Sequence, residues 1–458
     1  MLTTIATEPT PEAIAARATT APRYTSYPPA TAFGPVPPAL AAAELTHLGR
    51  TATPVSLYAH IPFCSSLCWY CGCNVTVTRA RDRGDAYVDT LATELVRVAE
   101  ALAGAPVTEV ALGGGSPNFL KVGALTRLSV AIDRYFAPAP GARRSIELDP
   151  RTTDLAQVEA LAATGWNTVS IGVQDFDPQV QQVIGRHQSL AQTRTLVQAL
   201  RAVGIGDLNL DLIYGLPRQS EASLAATIDQ VIELAPDRIA LFGYAHVPEL
   251  RPHQRLLERR DRLPDLYERA SMLMAASAQL TANGYIALGL DHFARPTSRL
   301  ARAAAAGRLT RNFQGYGERL ADAVIGLGAS AVSSTPRAHW QNAVGVDGWA
   351  QALAEGRLPI HRGIALSIDD RIRAAVITEL MCTGALDLAA VERRWELDSE
   401  AYFADALAAL TADPALATVD LAARTVVATP LGRVLIRNLC VHFDRYLSPG
   451  PRRGSTTV

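Results

Sequence analysis

Lysine is almost missing from this chain. Lys121 is the single one in 458 residues, and arginine supplies the rest of the positive charge. Leu120, not glycine, precedes it, which excludes a G-x4-G-K-[ST] phosphate loop. Schiff-base chemistry would have to use that one residue. The formal net charge is −1, so broad attraction to nucleic acid or an acidic membrane is not expected. No apolar run approaches the roughly 18 residues of a membrane span. The stretch Met1 to Pro9 lacks the basic and apolar regions of a secretory leader, so a cytoplasmic protein with reduced thiols is expected. Cysteine is also scarce, with six in all, which argues against a disulfide framework. Apolar residues make up 48% of the chain. That is ample for a sizeable core in one large or two to three ordinary domains.

The few cysteines are unevenly placed. Cys64, Cys68, Cys71 and Cys73 fall within ten residues, whereas Cys382 and Cys440 stand alone. Thiolates spaced C-x3-C-x2-C can ligate three irons of a [4Fe–4S] cluster and leave the fourth iron open to a small molecule. Structural zinc is the alternative, but zinc sites usually draw on two separated knuckles, and a second one is missing here. Unliganded thiols are the remaining reading.

Short apolar or β-branched runs at 55–61, 108–113, 144–149, 167–173, 207–213 and 238–244 read as strands. Helical patterns at 84–103, 122–136, 154–164, 189–203 and 219–234 lie between them. Such alternation implies a parallel sheet. Six strands are too few for a closed eight-stranded barrel, so an open, partial (β/α)6 barrel of α/β class is expected. Residues 1–50 read as an arm with one helix at 37–49, and 51–365 as the barrel with its extension. Residues 366–458 read as an α-rich C-terminal domain with a hairpin near 416–428. A helix at 262–283, an extended run at 285–290, a helical 297–310 and a disordered tail at 448–458 complete the expectation.

The motifs fall where parallel strands end, which is where such folds place functional groups. The cysteine loop follows the first strand. The run Gly113-Gly-Gly-Ser-Pro117 follows the second and can bring backbone N–H groups close to a ligand. It is not a dinucleotide fingerprint, because Asn118 occupies the third glycine position. Read alone, a turn is the simpler account. Glu147 and Asp149 end the third strand. Asp211 is an acid within a buried-strand pattern and should have a partner.

The C-x3-C-x2-C loop after a short strand resembles the radical S-adenosylmethionine (SAM) superfamily. Further motifs resemble the oxygen-independent coproporphyrinogen III dehydrogenases (oxidases) within it. These are Pro22-Arg-Tyr-Thr-Ser-Tyr-Pro28, Tyr58-Ala-His-Ile-Pro-Phe63, Gly172-Val-Gln-Asp-Phe176 and Asp211-Leu-Ile-Tyr-Gly-Leu-Pro217. Tyr244-Ala-His246, Asp291-His-Phe-Ala-Arg-Pro296, Arg311-Asn-Phe-Gln-Gly-Tyr316 and Leu435-Ile-Arg-Asn-Leu-Cys440 extend the match from about residue 20 to 450.

The resemblance implies that Cys64, Cys68 and Cys71 hold the cluster, with Cys73 outside the ligand set. It implies two SAM molecules. Tyr58, Gly114, Gly115, Ser116, Glu147 and Val332 match contacts to the first, and Tyr70, Gln174, Arg186, Asp211 and Ala245 contacts to the second. One-electron cleavage of SAM would yield a 5′-deoxyadenosyl radical that takes hydrogen from a propionate of coproporphyrinogen III. Loss of CO2 and one electron then leaves a vinyl group, twice over, in haem biosynthesis. The expected partners are this tetrapyrrole, an unidentified electron donor and an acceptor, with a monomeric chain. Four substrate carboxylates call for arginine forks, with Arg23, Arg295, Arg311 and Arg362 as candidates. His60, Asp291, His292 and Gln314 lie in matching motifs and are active-site candidates, of which His60, Asp291 and Gln314 are the catalytic ones.

The chain also departs from the family. Ser116 replaces a usual threonine and Tyr70 a usual phenylalanine. Gly317-Glu318 stand where paired threonines are typical, and Ser65-Ser66 replace a basic stretch. A related radical SAM methyltransferase, a haem-binding chaperone and a zinc-stapled protein are the alternatives. Cys73 argues against the chaperone, and the N-terminal arm and the full C-terminal region argue against both it and the methyltransferase.

Overall fold

The computed structural model describes residues 9–37, 39–447 and 455–458. Its centre is a sheet with six strands in the expected places: β1 (Val55–Ile61), β2 (Val107–Gly114), β3 (Arg143–Leu148), β4 (Thr168–Gln174), β5 (Asp207–Tyr214) and β6 (Arg238–Gly243). Neighbours pair in parallel throughout. Helices Asp82–Ala101, Val122–Phe136, Leu155–Ala163, Leu190–Ala202 and Glu221–Glu233 join them. Three of these begin where a polar residue and its partner three positions on form a reciprocal capping box: Asp154 with Gln157, Ser189 with Gln192 and Ser220 with Ser223.

Beyond β6 the order changes. Strands β7 (Ile286–Leu288) and β8 (His292–Ala294) extend the sheet antiparallel at the β6 edge. The hairpin β9 (Leu309–Asn312) and β10 (Gly315–Glu318) stands outside it. Strand β11 (Ala323–Leu327) returns to pair in parallel with β1, followed by antiparallel β12 (Val332–Ser334), β13 (Ala338–Asn342) and β14 (Ile360–Ala365). The sheet order is β14-β13-β12-β11-β1-β2-β3-β4-β5-β6-β8-β7. The expected six parallel strands are therefore seven among the described residues. Strand β11 is short and its partner lies near the other end of the chain, so no local alternation announced it.

Other expectations are corrected too. The helix expected at 297–310 ends at Ala305, and the hairpin starts at Leu309. A further helix, Pro11–Arg17, opens the arm, capped by Thr10. Of the tail expected to be disordered, 448–454 lie outside the described residues. Ser455, Thr457 and Val458 are buried, and Thr456 bridges Thr20. The hairpin near 416–428 forms from Ala417–Asp420 and Thr425–Ala428, joined by Ala385–Asp387. Among the described residues no helix is long and apolar enough to cross a membrane.

Strand β1 is buried along its whole length, flanked by β2 and β11. The loop after β11 is pinned by Glu94, a buried acid on helix Asp82–Ala101. It accepts hydrogen bonds from Gly328 N (2.7 Å), Asn342 Nδ2 (2.7 Å) and Trp349 Nε1 (2.8 Å). Glu94→Ala leaves three buried donors without this acceptor. At about 1–3 kcal/mol for each unsatisfied group, we expect a loss of roughly 3 kcal/mol or more. A denaturant titration that shows an unchanged midpoint would contradict this role.

Candidate active site

Alternate residues of the strands face one lumen, as the pleat requires. Ser56 of β1, Ser145 and Glu147 of β3, Ser170 and Gly172 of β4, Asn209 and Asp211 of β5, and Ala240 and Phe242 of β6 line a cavity of about 380 Å³. The hairpin β9–β10 contributes Asn312, Gln314 and Glu318 to its wall.

The cysteine loop sits at the rim. Phe63–Cys64 pairs with Thr76–Val77, which draws the ends of the loop together. Its backbone is held from outside: Trp69 N donates to Ile184 O (2.9 Å), Gln254 Nε2 to Tyr70 O (2.9 Å) and Arg251 Nε to Gly72 O (2.8 Å). Cys64, Cys68, Cys71 and Cys73 all line the cavity as free thiols. Cys73 turns toward Cys71: its backbone N–H donates to the Cys71 sulfur at 3.4 Å. Hydrogen bonding from Cys73 brings the Cys71 thiol down to about 7, whereas burial pushes Cys64 up to about 11.

Two guanidiniums approach Cys68. Arg151 Nη2 lies 3.6 Å and Arg186 Nη1 3.7 Å from its sulfur. Both arginines pair with Asp149, at 2.6 and 3.4 Å. Burial works to raise the Asp149 carboxyl, but Arg186 and Arg151 outweigh it and hold it below the usual range. Arg151 was not foreseen; the signal is a basic residue two positions past the acid that ends β3.

The glycine run is shaped first by packing. Gly114 has φ +109°, and a Cβ there would lie 2.3 Å from the His60 ring. Only glycine takes that conformation without strain. Its N–H donates to Glu147 Oε2 at 3.2 Å. Ser116 Oγ is 3.6 Å from Cys64 Sγ. Burial, then the charge of Asp211, raises Glu147 to about 7. Asp211 has the partners its burial demands: Ser170 Oγ at 2.8 Å and Asn209 Nδ2 at 2.7 Å.

The remaining candidates divide. Tyr70, Gly115, Gln174, Arg186, His292 and Gln314 line the same cavity, and Gln314 Oε1 is buried without a partner. Tyr58, His60, Ala245, Val332 and Asp291 do not line it. His60 Nε2 donates to Asn74 O at 3.0 Å. That leaves Nδ1 to accept from Tyr58 Oη at 3.2 Å. Both ring nitrogens are thus engaged. Ala245 O accepts from Gln254 (3.2 Å). Val332 lies in β12 against Gly326 of β11. Asp291 accepts from His292 Nδ1 at 2.7 Å and lies 3.4 Å from Arg311, so it orients His292 from behind. Arg295 and Arg362 stand away, against Tyr285 and Gln341. Arg143, paired with Glu109, and Arg238, paired with Asp207, line the lumen instead and were missed.

Comparison with known proteins decides the family. The Radical SAM superfamily model matches residues 58–231, and the HemN C-terminal domain model matches 366–435. The chain is 39% identical over 440 residues to the oxygen-independent coproporphyrinogen III oxidase of Bradyrhizobium diazoefficiens, covering 95% of this chain and 97% of that protein. It is 40% identical to the Escherichia coli protein of the same name, covering 93% of each. A solved structure of coproporphyrinogen III oxidase from Escherichia coli, described as a radical SAM enzyme, superposes with a TM-score of 0.87 over 93% of this chain and 98% of that one. This chain belongs to the oxygen-independent coproporphyrinogen III oxidase family.

The radical SAM family uses a [4Fe–4S] cluster and SAM, and the donor set fits them. Among the described residues no three His, Cys, Asp or Glu side chains close on one point, as a lone ion would need. Four thiols do line one cavity, and the C-x3-C-x2-C three among them, Cys64, Cys68 and Cys71, are the set for a cluster with a thiolate on each of three irons. Glu147 offers a testable handle on ligand binding. With its value near 7, it is protonated at pH 6 and ionised at pH 8. A Glu147 that pairs with cationic SAM would make its affinity rise across that interval more in this chain than in Glu147→Gln. Equilibrium dialysis that finds the same pH profile in both proteins would rule the contact out.

Proposed function

We infer that this chain converts two propionates of coproporphyrinogen III to vinyl groups without oxygen, giving protoporphyrinogen IX in haem biosynthesis. The observation that carries this reading is identity near 40%, spread over more than nine-tenths of the chain, to relatives named for that reaction. The lumen described above supports it.

Cys64, Cys68 and Cys71 would hold the cluster. Arg151 and Arg186 lie close enough to Cys68 to ease its charge, and the Cys73 N–H donates to Cys71, as backbone donors commonly do around cluster sulfurs. When bound, the cluster and SAM supply one electron and a 5′-deoxyadenosyl radical. Glu147, buried beside Gly114, would pair the ammonium of the first SAM, with Gly115 and Ser116 around it. Tyr70, Gln174, Arg186 and Asp211 would serve a second SAM. His292, fixed by Asp291, and Gln314, with its open Oε1, face the space left for substrate. The chemistry requires bulk water to be kept from the reactive centre. Each propionate gives up one hydrogen atom, CO2 and one electron. An external donor and acceptor complete the cycle, and we propose a monomeric, cytoplasmic enzyme.

The test is anaerobic turnover of the reconstituted protein with dithionite, SAM and coproporphyrinogen III, read by mass. The expected products are the mono-vinyl intermediate, protoporphyrinogen IX and 5′-deoxyadenosine. Cys68→Ala should abolish all three, while Cys73→Ala keeps most activity. SAM cleavage without decarboxylation would sink the substrate assignment and favour a methyl transfer or another tetrapyrrole. An intact cluster with no SAM cleavage would favour a binding protein.

A further inference from the structure

A second cavity lies just past the C-terminal ends of β5 and β6. Its volume is about 20 Å³, and its lining includes Arg23, Arg311, Arg437, Asp291, Tyr214 and Val458. That is space for little more than one water. Adjacent residues of the chain line this cavity and the lumen. Asp291 faces the small cavity and His292 the lumen; Arg311 faces the small cavity and Asn312 the lumen.

The side-chain charges in this small space do not balance. Arg311 and Arg437 are buried, Arg23 is half-buried, and Asp291 is the one acid among the lining residues. Asp291 is already shared by His292 and Arg311. The other guanidiniums meet backbone and hydroxyl oxygens. Arg23 donates to Gly243 O (2.8 Å) and Ser455 Oγ (3.4 Å). Arg437 donates to Ala21 O (3.1 Å), Ser455 Oγ (3.2 Å) and Thr456 O. Buried Arg269, behind them, reaches Tyr244 O and Val458 O, both at 3.0 Å. Nε of Arg311 and Nε of Arg437 have no partner. Burial and the neighbouring Arg23 bring Arg437 down to about 10, the mark of crowded positive charge. Cations kept in such surroundings are costly unless an anion joins them. Much of what covers them comes from one short segment, Ser455–Val458.

We propose that this arginine cavity is a carboxylate subsite for one of the four carboxylates of the tetrapyrrole, and that Ser455–Val458 occupies it until substrate displaces the segment. The proposal rests on the coproporphyrinogen reading. It gives Arg23 and Arg311 the fork role that tetracarboxylate recognition needs, adds Arg437, and places that role one residue away from the lumen.

The probe is coproporphyrin III, followed by fluorescence, with its tetramethyl ester as the carboxylate-free control. Arg437→Gln should weaken coproporphyrin binding about tenfold or more, the weight of a charge-assisted contact. Deleting residues 455–458 should tighten it several-fold, and neither change should alter binding of the ester. If Arg437→Gln fails to fold, the less buried Arg23→Gln reads the same contact. A folded Arg437→Gln protein with unchanged coproporphyrin affinity overturns the subsite, even where the wild type still turns over coproporphyrinogen. A deletion that lowers both thermal stability and porphyrin affinity also overturns it, because the arginines then serve the segment Ser455–Val458 itself. A wild type that neither binds coproporphyrin nor turns over its reduced form removes both this proposal and the functional reading beneath it.

Discussion

The site depends on the parallel pairing of strand Val55–Ile61 on both of its edges. Tyr58 lies level with Ala111 on one side and Gly326 on the other, and the same direction holds through to Arg238–Gly243. Parallel strands end at one rim, so loops far apart in sequence meet there. Cys64 stands just past Ile61, Gly115 next to Gly114, and Asp149 next to Leu148. Reversing any one of these strands would send its loop to the opposite end of the barrel. The late strand Ala323–Leu327 closes the exposed edge of Val55–Ile61, and Glu94 fixes the loop that follows it.

The same alternation makes the lumen polar, which is costly unless each group has a partner. The structure meets that cost in tiers. At the rim, Asp149 holds Arg151 and Arg186 near Cys68. Midway, Asp211 rests on Ser170 and Asn209. Toward the opposite end, Arg143 pairs with Glu109 and Arg238 with Asp207. Glu147 has thin support: Gly114 N–H supplies its one hydrogen bond, and burial with the charge of Asp211 raises its value. An acid left this way inside a lumen marks where a cationic ligand would bring the largest gain.

Much of this was legible in the sequence. Six parallel strands followed from short β-branched runs, and the helices expected at 154–164, 189–203 and 219–234 begin within two residues of those positions. The cysteine loop stood out by spacing alone. The hidden parts share a physical cause, because they depend on pairing across long separations. Ala323–Leu327 is a strand only because the edge of Val55–Ile61 needs one. Ser455–Val458 is held by Arg23, Arg269 and Arg437 and by backbone pairing with Thr19–Ala21, all distant in sequence. His60 looked like a chemical residue in its motif, yet Tyr58 and Asn74 engage both of its ring nitrogens. Arg143 and Arg238 carried no signal in the sequence, and it is the strand alternation that turns them inward.

The central claim is that Cys64, Cys68 and Cys71 hold a cluster with one iron open to SAM, while Cys73 stands aside. Electron paramagnetic resonance of the reduced, reconstituted protein, recorded with and without SAM, tests it most directly. The account predicts a [4Fe–4S] signal that changes when SAM is added, in the wild type and in Cys73→Ala alike, and no such signal in Cys68→Ala. A cluster signal that ignores SAM, or one that survives loss of Cys68 but not of Cys73, would contradict it.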